Sequence, residues 1–121
     1  MIVPLADLKA HLRVDHDAED WLIANIGLAA ELRVRNWIGR SIYAATEDLP
    51  PPTDPRYSRY QMVADEAIIV AIMQMADRMY QQRSGEGDSQ GDAVPPWTVR
   101  DLLSGYRVFF PVPEPPQPVV P

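Results

Sequence analysis

The sequence predicts an all-α protein, a small helical bundle of about four helices with an extended Pro-rich C-terminal tail. Apolar residues recur at spacings of three and four through most of the chain. Proline and glycine concentrate between these stretches, where they end helices. Beyond residue 110, prolines stand at nearly every second position. We therefore divide the chain into a helical domain, residues 1–107, and a tail, residues 108–121.

Composition narrows the classes of function. A chain of 121 residues, 46% of them hydrophobic, fits one domain with a core of ordinary size. Its lack of cysteine excludes disulfides and thiolate metal sites, and its net charge of −6 disfavours tight binding of nucleic acid. The N-terminus does not resemble a signal peptide, and the longest apolar run, 67–73, is far shorter than the ~20 residues of a membrane span. We expect a cytoplasmic protein that contacts no membrane.

The first two helices are predicted from their apolar spacing and their end signals. Three leucines at helical spacing after Pro4 predict a short amphipathic helix over 4–12. A longer helix is predicted over 18–38, with Asp17 as its N-cap and Gly39 as its C-terminal stop.

Two apolar stripes run along this second helix when its residues are placed at intervals of about 100°. One stripe comprises Ile23, Ile26, Ala30, Val34 and Trp37. The other, nearly opposite, comprises Trp21, Leu28 and Leu32. Because a helix with two apolar faces needs two partners, the second stripe is a candidate contact surface for another subunit.

The remaining elements follow from proline, glycine and apolar patterning. The proline-rich segment 49–55 predicts an extended connector, and 57–83 predicts a third helix that is apolar nearly all round and forms the centre of the core. Residues 84–92 are rich in glycine and predict a loop. A fourth helix over 95–103 carries Trp97, Val99, Leu102 and Leu103.

No pattern in the chain predicts catalysis, a cofactor or a metal site. The acidic run 15–20 departs from the calcium-loop rule, which requires glycine at the sixth place and glutamate at the twelfth, where this chain has Asp20 and Ile26. The two histidines, His11 and His16, stand in no ligand motif. We predict that the protein is not an enzyme, and we interpret the acidic run as the start of a helix.

The tail begins with the apolar residues Val108, Phe109, Phe110 and Val112 among its prolines. Exposed phenylalanines on a segment without a fold of its own need a covering surface. Either they pack back onto their own domain, or they add as a strand to the sheet edge of another subunit. Both interpretations stay open.

Three stretches, in order and spacing, carry a family resemblance over residues 5–107. They are Leu5-x-x-Leu8-Lys9-x-x-Leu12-Arg13-Val14-Asp15 with Glu19-Asp20, Ile23, Ile26, Ala29, Ala30 and Trp37-Ile38-Gly39-Arg40; Met79-Tyr80-Gln81-Gln82-Arg83; and Val94-Pro95 to Leu102-Leu103-Ser104-Gly105-Tyr106-Arg107. This arrangement resembles the phage head-tail connector family, small adaptor proteins that include those of gene transfer agents. The proline tail and the glycine loop fall outside the resemblance.

The resemblance implies a compact helical bundle that forms a dodecameric ring on the portal protein, assembled in the bacterial cytoplasm and located in the neck of the particle. Its implied partners are other copies of itself, the portal, and a tail-side stopper or tail terminator protein, with DNA passing through the channel without specific binding. The candidate interface residues are those of the second stripe and of the tail. Arg33, Arg35 and Arg40 are candidates for charge that faces the channel or the portal, although the negative end of the helix also accounts for them.

Two other functions are compatible with the residues. A small helical DNA-binding domain would use the same three arginines on a recognition helix. A cytosolic scaffold would instead use the Pro-x-x-Pro elements of the tail to dock onto aromatic-lined modules.

Overall fold

The computed structural model describes residues 1–82 and 95–108, and within these ranges the protein is helical. The helices are α1 (Leu5–Leu12), α2 (Asp20–Ile38), α3 (Glu66–Gln81) and α4 (Trp97–Leu103). Two short strands, β1 (Ile42–Tyr43) and β2 (Met62–Val63), and a 3₁₀ turn, Thr46–Asp48, lie between α2 and α3. The predicted all-α class is confirmed. The glycine loop 84–92 and the tail beyond Val108 lie outside the described residues.

The turn between α1 and α2 is held by one lysine between two carboxylates. The Nζ atom of Lys9 lies 2.7 Å from Asp17 and 2.8 Å from Asp20. These contacts raise the pKa of Lys9, and the same hydrogen bond from Lys9 lowers the pKa of Asp17. The prediction that Asp17 caps α2 was therefore wrong, because its carboxylate is bound to Lys9. The helix begins at Asp20, with Glu19 in the N-cap position and no side-chain cap.

The core lies between α2 and α3, and α3 contacts each of the other three described helices. This confirms the prediction of a central third helix. The close approach of α1 depends on Gly27, because a β-carbon there would stand 2.5 Å from the Leu8 side chain. The fully buried large side chains are Leu8, Ile23, Ile38, Ile68, Ile72, Met75, Leu103, Val34 and Val99.

The third helix is shorter than predicted. It begins at Glu66 and not near residue 57, because Asp65 caps it by accepting a hydrogen bond from the Ile68 backbone N–H at 3.0 Å. The preceding residues form turns and then β2, which pairs in parallel with β1 through Ile42 opposite Met62. Because β1 lies some twenty positions earlier in the sequence, a local helical pattern does not predict this pairing.

The end of the described chain is bound to the C-terminal end of α2. Gly39 adopts a left-handed conformation with φ of 73°, as its predicted role as a stop requires. The Val108 N–H donates to the Ile38 carbonyl at 2.7 Å. The Arg107 Nε donates to the Trp37 carbonyl at 2.9 Å, and its guanidinium lies 3.7 Å from the centre of the Trp37 ring. Residues 107 and 108 therefore pack on their own domain.

Candidate interaction surface

An apolar surface on α2 faces away from the core. Trp21, Leu28 and Leu32, which we call the α2 stripe, are 79%, 46% and 53% exposed. They lie within about 40° of one another around the helix axis, on one face of α2, with the exposed Asn25 between Trp21 and Leu28. Single exposed apolar residues are ordinary on protein surfaces, but an aligned row on the longest helix is typical of a contact surface.

The C-terminal end of the α2 stripe has a basic border. Arg35 follows Leu32 by three residues and lies on the same side of the helix. Together with Leu32, Gly39 and Arg40 it lines a shallow recess. The stripe therefore runs from an exposed tryptophan at one end to a cation at the other.

A second exposed aromatic residue lies on α4. Trp97 is 71% exposed, and the Arg100 guanidinium stands 5.7 Å from the centre of its ring. Val99 and Leu103 form the buried face of this helix instead. The sequence interpretation placed Trp97 with the other apolar residues of the helix and missed it as a surface residue. Since residues 97 and 99 are about 200° apart on a helix, the spacing itself could have shown this. We call Trp97, Arg100 and Asp101 the α4 patch.

The three candidate arginines do not form one basic face. Arg33 and Arg35 lie on opposite sides of α2, and Arg33 borders a recess with Arg78 and Pro96. Arg40 lies beyond the helix, where its Nε donates to the Tyr60 carbonyl at 2.8 Å and holds the segment before β2. A recognition helix for DNA would need these cations on one side.

Of the apolar residues predicted in the tail, the structure describes Val108 alone. It is half-buried, with its backbone bonded to α2. Phe109, Phe110 and Val112 lie outside the described residues, so both interpretations of them stay predictions.

Some charged groups of the described residues bind other side chains of the same chain. The Tyr106 hydroxyl donates a hydrogen bond to Asp65, which lowers the pKa of the carboxyl and raises the pKa of the tyrosine. Asp54 and Arg56 likewise pair with each other at 3.0 Å.

Within residues 1–82 and 95–108, no cluster of three or more histidines and carboxylates is placed to hold a metal ion. None of the described helices is both long and apolar enough to cross a membrane.

Comparison with known proteins identifies a family. Residues 2–107 match the family model described as phage gp6-like head-tail connector protein. The matched range covers the α2 stripe, the α4 patch and the core. No curated protein and no solved structure matches the chain.

Proposed function

Because this chain belongs to the phage gp6-like head-tail connector proteins, we propose that it is the subunit of a ring beneath the portal of a tailed phage or gene transfer agent. The family gives it a structural role in joining head to tail, and places it in the virion neck. In the proposed ring it extends the DNA channel and offers a platform for the tail-side stopper or tail terminator protein. We propose twelve copies in the ring, as the family resemblance implies.

The observation that carries this proposal is the exposed α2 stripe. A closed ring is built from head-to-tail contacts, in which each subunit presents two different surfaces to its neighbours. The α2 stripe provides one such surface, because its three side chains face away from their own core and leave apolar area for a neighbour to cover.

The size of the stripe predicts that single contacts between subunits are weak. Full burial of a large apolar side chain contributes about 1.5–3 kcal/mol, and since these three are already partly buried, covering what is still exposed supplies roughly 3–5 kcal/mol. Association costs an estimated 4–15 kcal/mol in lost translational and rotational freedom. We therefore expect the free subunit to be monomeric and the ring to form on the portal, which supplies further contacts.

The net charge of the subunit is suited to a channel through which DNA passes. Each subunit contributes a net charge of −6, so the closed ring would form a negative collar that repels the DNA backbone and keeps a moving duplex from sticking. Among the cations, we propose that those of Arg33, Arg35 and Arg40 that stay exposed in the ring face the portal or the channel.

The proposed ring can be tested by imaging. Purified protein mixed with its portal should form collars visible in negative stain, and the Leu28→Glu/Leu32→Glu variant should not, because it places charge where a neighbour must pack. The Ala6→Glu/Ala10→Glu variant is a matched control, since it adds the same charge to exposed positions on α1. Persistent absence of collars with the unmodified protein would contradict the proposal.

The tail provides a second proposed contact. We propose that Phe109, Phe110 and Val112 attach to the portal or to a neighbouring subunit. A chain that ends after Val108 keeps the hydrogen bond to Ile38, so its helical circular dichroism and melting should stay near those of the full chain while attachment to the particle is lost. Loss of the fold in this truncated chain would favour packing of the tail on its own domain.

A further inference from the structure

The tail leaves the helical body at the C-terminal end of α2. The Val108 N–H is bonded to the Ile38 carbonyl, and thirteen residues follow, rich in prolines that favour an extended chain. At about 3.1 Å per residue they can span roughly 40 Å. Glu114 is the only charged side chain among them. The tail is therefore an apolar segment with a single negative charge, and it starts from a fixed point.

The α2 stripe has an acidic border at one end and a basic border at the other. The acidic run 15–20 precedes Trp21. Arg35 and Arg40 line the recess beside Leu32, and the described residues that line it include no carboxylate. None of the ion pairs among the described residues includes Arg35. An apolar segment with one carboxylate would therefore bind with that carboxylate at the Arg35 end.

We infer that the tail of one copy lies along the α2 stripe of the next copy and runs in the same direction as that helix. This inference rests on the proposed ring and names the two surfaces that close it. The tail and the stripe are unlike surfaces, as a head-to-tail contact requires. Three residues of the tail meet three of the helix in the same order: Phe110 with Leu28, Val112 with Leu32, and Glu114 with Arg35.

The spacing of residues in the two segments agrees with this order. In an extended chain, alternate side chains point to the same side and lie about 6–7 Å apart, which places the prolines at 111 and 113 on the far side. Along α2, Leu28 and Leu32 are about 6 Å apart, and Leu32 and Arg35 are about 4.5 Å apart. The three contacts therefore match to within about 2 Å each with both segments straight.

A tail cannot make the same contacts with the stripe of its own subunit. Phe110 follows the bonded Val108 by two residues, at most about 7 Å of chain. Leu28 of the same chain lies ten residues before Ile38, about 15 Å along the helix. The tail would have to run back along α2, which reverses the order of the contacts and carries Glu114 toward the acidic start of the helix. The occupant is therefore the tail of a second copy.

A second α2 stripe is a poorer occupant. In an antiparallel pair of stripes, the acidic residues before Trp21 would have to provide the partner of Arg35. Three of these carboxylates are already bound within their own subunit, Asp17 and Asp20 to Lys9 and Glu19 to the Tyr80 hydroxyl. The tail brings its carboxylate to Arg35 without breaking these contacts.

The absence of cysteine from the chain permits a test by crosslinking. In particles assembled with the portal, the Arg35→Cys/Glu114→Cys variant should give, on mild oxidation, a ladder of covalent dimers, trimers and larger multimers. Each single-cysteine variant should stay monomeric. The Asn25→Cys/Glu114→Cys variant is a matched control and should give no ladder, because position 25 is exposed on the same side of α2 but about 15 Å from position 35.

Four results would overturn the inference. Covalent dimers of a single-cysteine variant would mean that two stripes or two tails meet. A disulfide within one chain, seen as a faster-migrating monomer, would place the tail on its own subunit. A ladder from the Asn25→Cys pair in place of the Arg35→Cys pair would reverse the direction of the tail. Particles that contain the Arg35→Cys/Glu114→Cys variant but give no ladder would assign the tail to another surface, such as the portal, and leave the proposed ring intact. Failure of the unmodified protein to form collars would instead count against the ring itself.

Discussion

The two apolar faces of α2 have opposite surroundings. Ile23, Ala30 and Ile38 on the inner face are 0% exposed, whereas Trp21 on the outer face is 79% exposed. The two faces belong to one helix and have similar side chains, so apolar character alone does not determine burial. The inner face is covered because α1 and α3 lie against it. The outer face is left with apolar area that the described part of the subunit does not cover.

The largest expected effect on stability is the difference between alanine substitutions on the inner and outer faces of α2. Ile23→Ala should lower the free energy of unfolding by about 2–5 kcal/mol, because it leaves a cavity at a fully buried position. Leu28→Ala should change it by no more than about 0.5 kcal/mol, since the site is already half in solvent. Urea denaturation of both variants measures the difference. Equal losses would show that the outer face is covered within the single subunit.

The two hydrogen bonds accepted by Asp65 should give the next largest effect on the free energy of unfolding. Asp65 caps α3 and also accepts from the Tyr106 hydroxyl, so it joins the start of α3 to the end of the described chain. We expect Asp65→Ala to lower the free energy of unfolding by about 2 kcal/mol and Tyr106→Phe by about 1 kcal/mol. Denaturation of Asp65→Asn, which keeps a good capping side chain, should give an intermediate value. A loss for Asp65→Asn as large as for alanine would assign the effect to charge and not to capping.

The same carboxylate makes this contribution dependent on pH. Its hydrogen bonds hold the pKa of Asp65 below the ordinary value of 3.8. A carboxyl with a lowered pKa in the folded state stabilises the fold above the unfolded pKa, and this stability is lost as the pH falls through the folded value. The difference between the unmodified protein and Asp65→Asn should therefore be constant near neutral pH and shrink below pH 3.8. A difference that persists unchanged in acid would contradict this.

An effect as small as that of Tyr106→Phe is expected at the junction of α2 with the C-terminal segment. Arg107→Ala removes the hydrogen bond to the Trp37 carbonyl and the contact with its ring, and should lower the free energy of unfolding by about 1 kcal/mol. Arg107→Lys keeps a cation near the ring and should lose about half as much. Thermal melting measures both. A loss as large as that of Ile23→Ala would show that this junction belongs to the core.

Local patterns predicted much of the fold. The leucines of α1 and the inner stripe of α2 have the helical period, and Gly39 ends α2 as expected. These signals are local, since each depends on residues within a turn or two. The sequence also separated the inner face of α2 from the outer face and assigned the outer one to contact with another subunit, and the structure leaves its side chains exposed.

The wrong predictions have physical causes, most of which involve residues that are distant in the sequence. The start of α3 was placed too early because the pairing of β2 with β1 depends on a distant segment. Asp17 was taken as a cap, yet Lys9 lies within reach only once α1 folds back on α2. Trp97 was placed with the other apolar residues of α4 without regard to its side of the helix, although its angular position opposes Val99. The spacing of Trp97 and Val99 was enough to predict that they lie on opposite sides of the helix.

Gly39 has a consequence for the point at which the chain leaves the helical body. Its left-handed backbone ends α2, and a β-carbon at position 39 would stand only 2.8 Å from the Val108 carbonyl oxygen. The exit point of the chain is thus set by backbone groups near positions 38, 39 and 108. A side chain at position 39 would therefore disturb two things at once, the end of α2 and the direction in which the chain leaves the helical body.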